Sequence, residues 1–124
     1  MDHNKPNIKL LILFGSRARG TQGRISDTDV AVLADRSLEI RDKSMIAERI
    51  APTLRVSEDE IDIVDLQSAS PLLQYQIAQE GTLLQGSIFD FTRFKVLAWK
   101  RYLDTARFRR ARHESLKRHV ARIH

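Results

Sequence analysis

Apolar positions change their spacing several times along the chain, and each change predicts an element. Ile8 to Phe14 (IKLLILF) is a nearly continuous apolar run that stops at Gly15-Ser16, the mark of a buried strand ended by a tight turn. The next stretch, GSRARGTQGRISDT, is rich in glycine, serine and threonine, which predicts a loop with at most a helical turn over 17–20. Asp29 to Ala34 (DVAVLA) alternates, with Val30 and Val32 of one parity and Asp29, Ala31 and Leu33 of the other, and predicts a second strand. From Leu38 to Leu54 the positions Ile40, Met45, Ile46, Ile50 and Leu54 recur at helical spacing behind Ser37, a suitable N-cap. Glu58-Asp59-Glu60 leads into a β-branched third strand, Ile61–Leu66.

Ser70-Pro71 opens a second helix, because proline suits the first helical position; Leu72, Leu73, Ile77 and Ala78 give it an apolar face that ends near Gly81. Thr82–Gln85 predicts a short fourth strand, and from about Ser87 one long helix runs on without proline or glycine. The order predicts an α/β (α+β) fold: a small mixed sheet with helices on one face, the other face open for a ligand, plus a long C-terminal helix. Residues 1–124 read as a single domain, with a core over 8–86 and a helical extension over 88–124, and no linker or repeat divides them.

The segment that carries chemistry is Gly15-Ser16, ten further residues, then Asp27-Thr28-Asp29, set between two predicted strands. Extended backbone sends residues i and i+2 to one side, so Asp27 and Asp29 present two carboxylates together. Paired carboxylates repel unless a cation relieves them, and Mg²⁺ takes oxygen ligands while leaving room for substrate phosphates. The Gly-Ser turn offers backbone N–H groups and a hydroxyl to a phosphate oxygen, and Arg17 and Arg19 can add charge-assisted hydrogen bonds. Neither a G-x-x-x-x-G-K-[ST] loop nor a G-x-G-x-x-G turn is present.

These residues, embedded in LFGSRARGTQGRISDTDVAV, resemble the signature of the DNA polymerase β-like nucleotidyltransferase superfamily. Within it, the short chain and the wording FGSRARG…SDTDVAV are most similar to the minimal nucleotidyltransferase (MNT) group, antitoxins to HEPN-domain toxins. The resemblance runs from about Leu10 to Gly86 and implies a polymerase β-like fold in the cytoplasm. It implies that a hydroxyl attacks the α-phosphate of ATP, with two Mg²⁺ ions ligated by Asp27 and Asp29, and with Gly15, Ser16 and Arg17 holding the triphosphate.

The family takes a third carboxylate from a neighbouring strand, and Asp62 and Asp65 are the candidates. If Ile61 and Ile63 join Val30 and Val32 on the packed side, Asp62 falls beside Asp29, whereas Asp65 reads as a cap or surface residue. Family members commonly carry a helix before the first strand; with seven residues ahead of Ile8, either that helix is absent or the start is truncated, and the packed face is expected to lose one cover, at more cost to stability than to activity. The resemblance then implies a protein adenylyltransferase that places AMP on a hydroxyl, tyrosine foremost, of a HEPN ribonuclease. Two alternatives remain: neutralisation by binding alone, and nucleotidyl transfer to RNA ends.

Charge and length refine this picture. The net charge of +5 hides a division: residues 1–92 carry 10 basic and 14 acidic side chains, whereas residues 93–124 carry 11 basic and 2 acidic. Such a basic tail is either a solvated helical face or a surface for a polyanion or an acidic partner. Six of the eight aromatics (Phe89, Phe91, Phe94, Trp99, Tyr102 and Phe108) lie in the same helix, where they suit core or interface, but none follows Phe108 to stack bases. His3, His113, His119 and His124 have no partners at metal-ligand spacing that include a carboxylate on the same face, and His119 with the region RHESLKRH reads as solvated helix. Without cysteine there is no disulfide framework, and no run of about 20 apolar residues could span a bilayer. A chain of 124 residues has no second domain to wall a cleft, so that wall is expected from the acceptor protein or another copy.

Overall fold

The computed structural model describes residues 5–15 and 28–123, with side chains as far as 117. Strands β1 (Ile8–Phe14), β2 (Thr28–Ala34), β3 (Ile61–Asp65) and β4 (Thr82–Gln85) form one mixed sheet in the order β3-β2-β1-β4. β1 is antiparallel to both β2 and β4, and β2 is parallel to β3 through the crossover helix α1 (Ile40–Leu54). α2 (Pro71–Glu80) returns the chain to the opposite edge, and α3 (Ile88–Ile123) follows β4.

The expected class, four strands and helices are present, but the helices cover both faces of the sheet rather than one. Leu11, Val30, Val32 and Ile63 pack on Ile46, Ala47 and Ile50 of α1. Residues of the other parity, Leu10, Ile12 and Ala31, pack on Ile77 and Ala78 of α2 and on Phe94 and Ala98 of α3. The physical reason lies in β1 and β2 themselves, which are apolar at both parities; a central strand apolar on both sides demands cover on both. The apolar half of α3 therefore belongs to the body, whereas every residue over 107–117 is exposed.

Helix ends are set by side chains the periodicity does not reveal. α1 starts behind Glu39, not Ser37: Asp42 accepts the Glu39 N–H at 2.9 Å, and Asp65 accepts the Leu38 N–H at 2.9 Å, which holds the preceding segment extended. α2 begins as expected, with the Ser70 hydroxyl accepting the Leu73 N–H and Pro71 at the first position. The turn into α3 needs Gly86, whose φ is 125° and where a Cβ would press on the Lys9 carbonyl. Gln74, buried on α2, ties three elements together. Its amide donates to the Leu66 carbonyl at 2.6 Å and its oxygen accepts from Arg101 of α3 at 3.1 Å. Beside it Tyr75 and Tyr102 stack at 4.0 Å between α2 and α3.

Candidate active site

Three strand ends meet at one end of the sheet. In the antiparallel β1/β2 pair Phe14 lies opposite Asp29, and in the parallel β2/β3 pair Asp29 lies beside Asp62. Paired residues on adjacent strands project to one face about 4.8 Å apart, so Asp29 and Asp62 stand side by side, next to the turn that leaves β1 at Gly15. Their face is the one that α2 and α3 cover further along the strands. At this end Phe14 and Asp29 are half-buried and Asp62 is exposed, so the opening is a row at the sheet's end rather than a whole face. Thr28, of the opposite parity, is buried beneath.

Gly15 has φ 80°, a left-handed conformation that L side chains avoid, and any Cβ built there would run into the Asp29 carboxylate. The backbone of the turn thus passes against the carboxylate with no side chain between them. That close approach is what a phosphate shared between turn N–H groups and a carboxylate-bound cation needs.

Asp65 lies on the other face of the sheet. It is buried on the α1 side, opposite Val32, and accepts hydrogen bonds from the Leu38 N–H, from the Gln67 N–H at 3.1 Å and from the Ser68 hydroxyl at 3.1 Å. Its carboxylate is consumed in closing the turn after β3 and in starting α1. Ser16, Arg17, Arg19 and Asp27 lie outside the described residues.

A cleft of about 440 Å³ opens between α1 and the edge strand β3, lined by Lys43, Ser44, Glu48, Glu58, Asp59 and Asp62 among others. Sequence reasoning did not single out Lys43 or Glu48, because an isolated charge on an exposed helical face carries no signal of its own. Glu58 and Asp59, visible in the sequence only as part of an approach to β3, contribute acids to that cleft.

A mixed sheet with a glycine turn against one carboxylate and a second carboxylate in register on the next strand is the framework of a nucleotidyltransferase. The chain belongs to the polymerase beta nucleotidyltransferase family, whose model matches residues 2–87. It is 40% identical over 93 residues to the protein adenylyltransferase MntA of Shewanella oneidensis, covering 75% of this chain and 65% of that protein. It is 37% identical over 102 residues to the protein adenylyltransferase MntA of Aphanizomenon flos-aquae, covering 74% and 68%. The chain thus matches about two thirds of the length of these relatives.

Among solved structures, a chain of a toxin–antitoxin complex with AMP-PNP superposes with a TM-score of 0.75 at 35% identity, covering 92% of this chain and 90% of that one. A chain of a complex between tri-AMPylated Shewanella oneidensis HEPN toxin and MNT antitoxin gives a TM-score of 0.68 at 30% identity, covering 94% and 89%.

Proposed function

We propose that this protein is an antitoxin that transfers AMP from ATP to a hydroxyl, tyrosine foremost, of a HEPN-domain ribonuclease toxin. The observation that carries the reading is the register of Asp29 with Asp62 beside the Gly15 turn. Relatives named as protein adenylyltransferases, and a solved AMPylated toxin in complex with its antitoxin, supply the acceptor class.

The donor set suits Mg²⁺. Two hard carboxylates stand on adjacent strands, Asp27 is the third acid of the motif, and the motif contains no cysteine, methionine or histidine. Asp27, Asp29 and Asp62 would hold the metal, which when bound offsets charge on the phosphates and on the attacking and leaving oxygens.

The chain's own residues do the rest. Gly15, Ser16 and Arg17 bind the triphosphate and fix the α-phosphorus in line with the acceptor hydroxyl. The hydroxyl oxygen bonds to the α-phosphorus, the bond to pyrophosphate breaks, and Asp62, exposed at the edge strand, receives the hydroxyl proton. Residues 1–124 act as one minimal unit: the core over 8–86 carries the chemistry, and the helical part over 88–124 meets the partner, which supplies the far wall of the cleft.

The test is intact-mass analysis of a HEPN-domain toxin, sought in the protein encoded beside this chain, after incubation with ATP and Mg²⁺. The toxin should gain whole adenylate units and lose ribonuclease activity. An unmodified toxin, or equal modification by the Asp27→Ala/Asp29→Ala variant, rejects the reading; neutralisation without modification would establish the binding-only alternative.

A further inference from the structure

α3 has two apolar faces, and among the described residues the body covers only one. Phe94 and Ala98 face inward. On the opposite side Phe89, Val96, Trp99 and Leu103 are 74, 56, 54 and 48% exposed. Their spacing of seven, three and four residues is that of a coiled-coil seam: with Phe89 as position a, Val96 and Leu103 are also a, and Trp99 is d. On this register Thr92 and Ala106 occupy the remaining d positions, so the seam runs about 25 Å along an unbroken helix. The inward residues Phe94 and Ala98 fall at f and c, as a helix gripped from both sides requires.

The flanks of the seam carry one sign. Arg93, Lys100 and Arg107 occupy the e positions, and Lys95 and Arg109 two of the g positions; all five are exposed. The nearby acids, Asp90 and Asp104, fall at b, outside the seam. Residues at e and g decide which helix a seam accepts, because they face their counterparts across it. Two copies of α3 would set cation against cation on both flanks, so the same charges that invite an acidic helix exclude a second copy of this chain.

The geometry points to this seam as the docking surface for an amphipathic helix of another protein, with apolar residues at a and d and glutamate or aspartate at e and g. The inference rests on the reading that the chain acts on a protein partner. It adds where that partner binds, by what chemistry, and why α3 is not a homodimer seam.

The chain's single tryptophan lies in the seam and reports occupancy directly. The probes are synthetic peptides of about four heptads with leucine at a and d, one with glutamate at e and g, the other with lysine. Addition of the glutamate peptide should shift Trp99 emission to the blue, with an affinity that falls as salt rises, and the lysine peptide should leave it unchanged. Val96→Glu/Leu103→Glu keeps Trp99 and should bind the glutamate peptide at least about thirtyfold more weakly while retaining its circular dichroism. The inference is overturned by no shift with the glutamate peptide, by equal shifts with both peptides, by a shift that survives the double substitution, or by a wild-type chain that sediments as a dimer dissolved by it. Failed AMP transfer with peptide binding intact would instead remove the enzymatic reading and leave this one standing.

Discussion

Two aspartates three positions apart on one short strand lie in opposite surroundings, and the parity of the strand decides which is which. Asp62 is exposed and in register with Asp29, whereas Asp65 is buried and accepts three hydrogen bonds. Asp62→Asn should therefore leave stability within about 0.5 kcal/mol of wild type while AMP transfer falls by at least about 100-fold. Asp65→Ala should cost about 2–3 kcal/mol of stability through its orphaned donors and the lost start of α1. Urea unfolding measured beside label transfer separates the two, and an active Asp62→Asn enzyme would discard Asp62 as a participant. Gly15 is the other residue whose task is geometric. Gly15→Ala puts a methyl group in a left-handed position and into the Asp29 carboxylate, so ATP binding should weaken by tenfold or more while far-ultraviolet circular dichroism stays unchanged. Titration calorimetry with a non-hydrolysable ATP analogue checks this, and unaltered affinity would mean that the turn does not shape the nucleotide site.

At the scale of elements, the start of α1 couples stability to pH. Arg36 donates to Asp42 at 2.7 and 3.2 Å, and this pairing, helped by the Glu39 N–H, holds the Asp42 carboxyl below its ordinary value of 3.8. A depressed carboxyl stabilises the fold above its unfolded value and loses that contribution as pH falls through the folded one. The stability difference between wild type and Asp42→Asn should thus be full at neutral pH and shrink below about pH 4. Denaturant titrations at pH 7, 4 and 3 measure it; a gap independent of pH contradicts the pairing. The same elements show what could be read from the chain alone. β1 and β4 were predicted at their observed bounds, because β1 is bracketed by a glycine turn and β4 lies between Gly81 and Gly86, signals local to the backbone. The cap of α1 was misplaced at Ser37 because the groups that fix it, Asp42 and Asp65, act from the first turn of the helix and from another strand. The cover on both faces could have been read from the double parity of β1 and β2, since Leu10 and Leu11 cannot both face one helix layer. Gln74 carried no such signal: a glutamine in a helix shows its burial only when Leu66 and Arg101 are brought to it.

The whole molecule divides its work by charge and by end. Acids cluster in the first 92 residues, where Asp29 and Asp62 meet at one end of the sheet, and an excess of 9 positive charges lies on the helix beyond. Part of the candidate site was legible before the fold was known. The motif named Gly15, Asp27 and Asp29, and parity chose Asp62 over Asp65, although it did so on the assumption of one covered face. Asp29 and Asp62 share a parity whichever face the helices cover. Helix α3 was legible as basic and aromatic, but its division into an inner and an outer apolar face needs the packing of Phe94 and Ala98 against the sheet. What the proposed chemistry requires is transfer of the α-phosphorus of ATP, with its adenosine, to a protein hydroxyl. The most direct measurement incubates the chain, Mg²⁺ and the neighbouring toxin with ATP labelled at the α-phosphate in one reaction and at the γ-phosphate in another. Transfer of the α-label alone to the toxin, release of the γ-label as pyrophosphate, and loss of both in Asp27→Ala/Asp29→Ala is the predicted result; γ-label on the toxin, or undiminished α-transfer by the double variant, would contradict it.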